Sequence, residues 1–280
     1  MTIALGENRY GKSGIHLVVV DRDAPRHTVT DLRVDIRLEG DFEAAHTAGD
    51  NSALVPTDTM RGTVFAFART QPVAEPEDFG LRLARHFVAT VPSVRCADVR
   101  LRAARWARIG GDHPAGFLAD TSITRTAQVR VDADGAHVRG GITDLKIFKS
   151  AESAFADFYA DDYTTLPETQ DRMMATVVTA DWGYRDPAVD WDASAAAVQD
   201  ILLRAFADHD SASLQHTLYA MGEAVLSARS EVADVHLLLP NVHHLLVDLS
   251  PYGLDNPNRI FVATPEPYGV IEATVVRTGT

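Results

Sequence analysis

The chain has a single cysteine, Cys96, among 280 residues. One thiol closes no intramolecular disulfide and builds no cysteine-based zinc site. Its strand-like surroundings predict a buried, inert thiol. The chain also lacks an excess of positive charge. With 26 Lys and Arg against 39 Asp and Glu, its formal net charge is −13. A nucleic-acid surface needs a basic field that displaces counterions from phosphate, so that class of partner is not expected. A local arginine can still hold a small anion. No run approaches the ~18 consecutive apolar residues of a membrane span. Met1 to Arg9 has no signal-peptide core, and Arg277-Thr278-Gly279-Thr280 is not a Ser-Lys-Leu peroxisomal address. A cytoplasmic location, in a bacterium, is the expectation.

What remains is an ordinary globular composition, 46% hydrophobic and 23% charged, long enough to bury a sizeable core. Ile15 to Val20 is a β-branched run. Leu32, Val34, Ile36 and Leu38 alternate with Arg33, Asp35 and Arg37, which predicts a strand with one dry face. The polar segment 21–28 would join the two. Pro56-Thr57-Asp58-Thr59 reads as a helix start, with Thr57 as an N-cap. A second helix is expected over 79–88. Val99, Leu101 and Ala103 alternate next. Val129 and Val131 open a further strand that turns at 132–135.

The second half shows the same plan. Met174 to Ala180 is strand-like. Asp192 is placed to cap a helix carrying Val198, Leu202 and Phe206, and Ser211 or Ser213 to cap another carrying Leu214, Leu218, Met221 and Val225. Strands are expected over 232–239, 245–249, 260–263 and 270–276. The order strand, strand, helix, helix, strand, strand suggests two α+β units, each an antiparallel sheet with helices on one face. A soft boundary near 148–154 divides them as 1–148 and 149–280. Edge strands of such units need covering, which predicts an oligomer.

Five segments, in order, carry a family resemblance. They are Arg9-Tyr10-Gly11-Lys12; Asp50-Asn51-Ser52 with Pro56 to Thr59; Asp162-Tyr163-Thr164-Thr165-Leu166 through Asp171-Arg172; Ser211-Ala212-Ser213-Leu214-Gln215; and Leu239-Pro240-Asn241-Val242-His243. Together they resemble the urate oxidases over nearly the whole chain. His16, Pro56 and Leu214 stand where that family more often has arginine, alanine and valine.

The resemblance implies two tandem tunnelling-fold units assembling into a barrel-like tunnel. It implies a homotetramer with active sites at subunit interfaces, where Lys12, Thr57 and Asp58 come from the neighbour. It implies oxidation of urate by O2 with no metal and no other cofactor. Arg172 and Gln215 would clamp the flat anion through complementary donors and acceptors. Phe155 would stack on it. The backbone of Leu214 and of Asp58 would add contacts. Lys12, Thr57 and His243 would relay protons, and Asn241 would hold O2 or water above the ring.

Taken one at a time, these residues have plainer readings. Arg172 suits a surface ion pair with Asp171 or Glu168, Gln215 a solvated helix position, and Phe155 plain core. Lys12 suits a solvated loop, Asn241 a turn, and His243 a satisfied core histidine. Two other functions fit less well. A pterin enzyme of the same fold could recruit zinc through His113, His209, His216, His243 and His244, but no H-x-H pair or cysteine partner supports it. A silent purine-binding module would not need the relay residues.

Overall fold

The computed structural model describes residues 2–278. Met1, at the head of the N-terminal segment, and Gly279-Thr280, at the end of the C-terminal one, lie outside the described residues. The chain divides into two compact units. One comprises the residues up to Gly141 with Gly183–Ala193; the other comprises Ile142–Trp182 with the residues from Ser194 onward.

In the first unit, β1 (Tyr10–Asp21) pairs antiparallel with β2 (Thr28–Gly40), as the alternation predicts. Leu32, Val34, Ile36 and Leu38 are fully buried. A short α1 (Glu43–Thr47) follows, then α2 (Thr57–Thr70) and α3 (Pro76–Thr90). Next come β3 (Val94–Arg108), β4 (Phe117–Asp132) and β5 (Gly135–Lys149). Met60 and Val64 of α2, with Phe79, Leu83 and Phe87 of α3, pack onto the dry side of the strands with Val99, Leu101 and Val129. Trimming Ile36 or Leu101 to alanine here would cost about 2–5 kcal/mol in lost contacts and cavity.

Three local expectations change. Val129 and Val131 end β4 rather than open it, because the strand already starts at Phe117. Pro56 takes the N-cap position of α2, and no side chain caps the helix, so Thr57 is not an N-cap. Ahead of α4 (Trp191–Asp208) it is Asp190, not Asp192, that accepts from the Ala193 N–H at 2.9 Å. Asp192 turns instead to Arg125. That arginine also pairs with Glu77, fully buried in the first turn of α3, at 2.8 Å. Burial pushes the Glu77 carboxyl up to about 7 against the pull of Arg125.

In the second unit, β6 (Met174–Tyr184), β7 (Val232–Leu246) and β8 (Phe261–Val276) lie side by side, and α5 (Leu214–Ala228) packs on β7 and β8. Between the cap choices left open by the sequence, Ser213 is the N-cap of α5, accepting from the His216 N–H at 3.1 Å. Leu214, Leu218, Met221 and Val225 are buried as the spacing predicts. Gly222 lets α5 settle onto β8: an added Cβ would lie 2.5 Å from a Val275 methyl.

The four strands expected between 232 and 276 are two. β7 runs unbroken through Pro240 and Asn241, so Asn241 is a strand residue and not a turn. The irregularity falls on the partner. Between Asn241 and His243 the facing residue on β8 jumps from Gly269 to Thr264, so the extra residues bulge out of β8. With these mergers, β5 to β8 follow strand, strand, helix, helix, strand, strand, the order of β1 to β4 with α1 added. Among the described residues, β1 pairs only with β2, and β8 only with β7.

Candidate active site

The candidate residues fall into two groups. Lys12, Thr57 and Asp58 belong to the first unit. Phe155, Arg172, Leu214, Gln215, Asn241 and His243 belong to the second.

In the first group, a bulge decides where Lys12 points. Ile15 and Leu17 are buried on the helix-covered face of β1. Simple alternation from Ile15 would turn Lys12 to the opposite face. The β1–β2 register shifts between Lys12 and Ile15, where three steps of β1 oppose two of β2. Gly14 makes this possible: it takes the left-handed conformation, φ 68°, and donates its N–H to Asp35 Oδ1 at 2.7 Å. Lys12 therefore sits opposite Ile36, on the helix-covered side.

Gly11 is equally constrained, since a Cβ there would fall 1.8 Å from the Ile36 carbonyl oxygen. Tyr10 ties this strand to the start of α2: its hydroxyl accepts from the Val55 N–H at 2.7 Å, and its ring meets Phe42 edge-on. Burial raises the Tyr10 phenol, which keeps it neutral. Thr57 follows two residues after Val55 and is half-buried. Among the described residues, neither Lys12 Nζ nor Thr57 Oγ1 has a hydrogen-bond partner. Lys12 is half-buried in a strand, not a solvated loop residue. Asp58 is exposed and pairs with Arg61 at 2.8 Å.

In the second group, a knot of irregular backbone holds the flat wall. Phe155 and Thr169 exchange N–H···O bonds of 2.8 and 3.0 Å. The Arg172 N–H donates to the Ser153 carbonyl at 2.7 Å. Ser153 bridges in parallel to Ser211, just ahead of the α5 cap. Thr217 Oγ1 donates to Ser211 Oγ at 2.7 Å, and all three hydroxyl residues are buried. The chain thus brings Phe155 and Arg172 to the N-terminus of α5, where Leu214 is buried and Gln215 is exposed at the second helical position.

The Arg172 guanidinium lies 5.1 Å from the centre of the Phe155 ring, and Phe158 stacks on that ring at 4.9 Å. Neither neighbouring carboxylate serves Arg172. Asp171 accepts from the Glu152 N–H and Glu168 from the Asp157 N–H. Arg172 Nε is buried without a partner, and burial lowers the guanidinium's proton affinity. The plainer readings of Arg172 as an ion pair and of Phe155 as core therefore fail, since Phe155 is only half-buried.

Helix length brings Asn241 to the same place. α5 spans 15 residues, about 22 Å at 1.5 Å per residue, and turns straight back into β7. About seven strand residues cover that length, so the N-terminus of α5 stands beside Leu239 to Asn241. Asn241 and His243 continue the row of Val235, Leu237 and Leu239 on the α5 side. Opposite Asn241 is Gly269, which has no side chain to fill the space. His243 makes no side-chain hydrogen bond among the described residues; His244 packs on Phe148 instead.

The sequence reading missed Tyr10, Ser153, Ser211 and Thr217, which tie together the segments carrying the candidate residues. Tyr10 and Ser211 stood inside the recognised motifs, but nothing in their spacing tells which partner they find. Among the described residues no three His, Cys, Asp or Glu side chains gather as a metal site, and His209 and His216 face each other ring to ring. No helix among them is long and apolar enough to cross a membrane.

The two runs of strand, strand, helix, helix, strand, strand place the chain in the tunnelling-fold class of α+β proteins. The family model described as Uricase matches residues 8–130 and 138–272. The uricase of Arthrobacter globiformis is 46% identical over 99% of this chain and 91% of its own length. That of Aspergillus flavus is 34% identical over 96% of this chain and 95% of its own. The crystal structure of uricase from Arthrobacter globiformis superposes with a TM-score of 0.97 at 45% identity, covering all of this chain and 97% of that one. A urate oxidase structure from Bacillus sp. TB-90, at 20% identity, shares the fold with a TM-score of 0.82 over 96% of this chain and all of its own. The chain belongs to the uricase family and is an oxidoreductase that oxidises urate.

Proposed function

We propose that the chain oxidises urate without a cofactor: urate, O2 and H2O give 5-hydroxyisourate and H2O2. The observation that carries this reading is Arg172, a half-buried cation with no carboxylate partner among the described residues, set over an aromatic ring. Such a group is built for a flat anion, and urate is one. Arg172 and Gln215 clamp opposite edges of the purine, Phe155 stacks on it, and the Leu214 N–H at the start of α5 donates to it. Asn241, beside the side-chain gap at Gly269, holds O2 and then water above the ring.

Oxidation by O2 requires urate to give up a second proton, after which the dianion supplies the electrons. Lys12 accepts that proton through Thr57, whose hydroxyl is uncommitted because no cap bond engages it. His243 completes the relay, and the Asp58 N–H contacts the bound molecules. In this reading Lys12, Thr57 and Asp58 reach the wall of a neighbouring subunit in a homotetramer. The outer edges of β1 and β8, unpaired among the described residues, support that assembly. Its tandem repeats are the runs β1 to β4 and β5 to β8, which moves the boundary from 148 to the turn before Gly135, and the bacterial cytoplasm is its location.

The test is urate mixed with metal-stripped protein in air, following the ultraviolet band of urate and assaying peroxide. Loss of the band with stoichiometric peroxide is expected. Turnover that returns only when a metal or flavin is added would overturn the cofactor-free reading.

A further inference from the structure

We propose that Lys149 is a positioning residue for the urate wall: its buried ammonium cross-ties the segments that carry Phe155 and Arg172 to the N-terminus of α5. This rests on the assignment of that wall to urate.

Lys149 is the last residue of β5, and only 8% of its side chain is exposed. A lysine withdrawn this far from water must find acceptors for its charge. It has two. Nζ donates to the main-chain carbonyl of His209 and lies 3.2 Å from the Glu152 carboxylate. These acceptors belong to different segments. His209 leads into Ser211, and Glu152 leads into Ser153 and Phe155.

The same two segments are laced by backbone bonds. The Ser211 N–H donates to the Glu152 carbonyl at 3.0 Å, and the Ala154 N–H donates to the Ser211 carbonyl. The next bond, from the Arg172 N–H to the Ser153 carbonyl, brings in the third segment. A fourth, from the Glu152 N–H to Asp171 Oδ1, closes the knot. None of these short segments belongs to a helix or a long ladder, so each holds its shape only through such ties. Lys149 is the buried cation among them. On its other side the His209 ring meets His216 at 4.3 Å, and burial together with the His216 and Lys149 charges lowers its proton affinity. The His216 N–H is held by the Ser213 cap. The ammonium thus fixes the approach to α5 from one side while anchoring the Phe155 segment from the other.

Lys149 touches no substrate in this arrangement. Its removal loosens the relative placement of Phe155, Arg172 and the Leu214 N–H. Binding of a flat purine depends on all three at once, whereas proton abstraction depends on Lys12 and Thr57. The defect therefore falls on binding more than on turnover.

The experiment compares calorimetric affinity for xanthine, a purine dione, with KM and kcat for urate in Lys149→Met, Lys149→Arg and Arg172→Ala. Lys149→Met should weaken xanthine binding and raise KM by about tenfold, the scale of a small misplacement, with kcat changed far less. Lys149→Arg should restore most of the loss, which a merely space-filling role would not require. Unchanged affinity in Lys149→Met beside weakened affinity in Arg172→Ala would overturn the proposal alone. Unchanged affinity in Arg172→Ala would overturn the wall assignment on which it rests. Should Lys149→Met fail to fold, Glu152→Gln, an exposed change that removes one of the two acceptors' charge, takes its place. It should raise KM about threefold, a fraction of the same misplacement effect, and an unaltered KM would overturn the proposal.

Discussion

The Arg172 guanidinium lies over the Phe155 ring at 5.1 Å while both adjacent carboxylates, Asp171 and Glu168, accept from backbone N–H groups elsewhere. A cation whose nearest acids are already engaged is held ready for an anion from outside. Replacing Arg172 by alanine should weaken urate and xanthine binding by about 10- to 100-fold, the ~1.5–3 kcal/mol of a hydrogen bond to a charged group. Calorimetry checks it. The melting temperature should hardly fall, because no ion pair is lost.

Lys12→Met should act on the other half of the chemistry. Turnover should drop by about 10²- to 10⁴-fold, the range of a lost general base, while xanthine affinity stays within a factor of about two. Stopped-flow decay of the urate band and xanthine calorimetry on one preparation separate these effects. Equal turnover would remove Lys12 from the relay.

Tyr10→Phe should reproduce part of that loss without touching a proton-transfer group. The variant leaves the Val55 N–H without its acceptor, a cost of about 1–3 kcal/mol, and frees the start of α2 to drift from β1. A lower kcat with unchanged xanthine affinity is expected. If kcat and the melting temperature both match the parent, the tether does not place Thr57.

His236 gives a pH signature remote from the chemistry. Its ring nitrogens lie 2.8 Å from Asp181 and 2.9 Å from Glu272, linking β6, β7 and β8. Burial opposes its protonation, but the two carboxylates outweigh it and raise its proton affinity. A histidine whose folded value exceeds its unfolded one, near 6.5, stabilises the fold fully below that pH. The contribution is lost as pH rises through the folded value. The melting temperature should decline by about 2 °C from pH 6 to pH 8, the scale of a partly solvated pair. In His236→Gln the part of this slope due to His236 should vanish.

Regular elements were legible wherever one face alone is dry. Leu32 to Leu38 announced β2 without ambiguity, and Leu214, Leu218, Met221 and Val225 announced α5. Where the backbone departs from regularity the pattern misled. Pro240 cannot donate to a ladder, which suggested a break, yet β7 continues because β8 absorbs the irregularity opposite it. Thr57 and Asp192 have capping side chains, but a cap is decided by the residue's place in the first turn. Pro56 and Asp190 occupy those places.

The candidate site was named from motif resemblance, and composition alone would have assigned each residue a plainer role. The structure removes those roles for Arg172, Phe155, Lys12 and Asn241. It does so through contacts between residues far apart in the chain, such as Tyr10 with Val55 and Ser153 with Ser211. No local spacing encodes such partners.

The bulge between Lys12 and Ile15 makes the facing of the N-terminal segment a question of odd and even counting. Everything upstream of the extra residue is shifted by half a period, so Tyr10 and Lys12 share the side of Leu38 and Ile36. Deleting one residue at 13 or 14 would keep every side chain that carries chemistry and leave the composition almost untouched. It would also remove the bulge and leave Lys12 two steps from Ile15, still opposite Ile36 and on the helix-covered side. One residue added there with the bulge kept would instead set Lys12 opposite Arg37 and turn both Tyr10 and Lys12 away from α2, so gain of a residue at this point should be tolerated less well than loss of one.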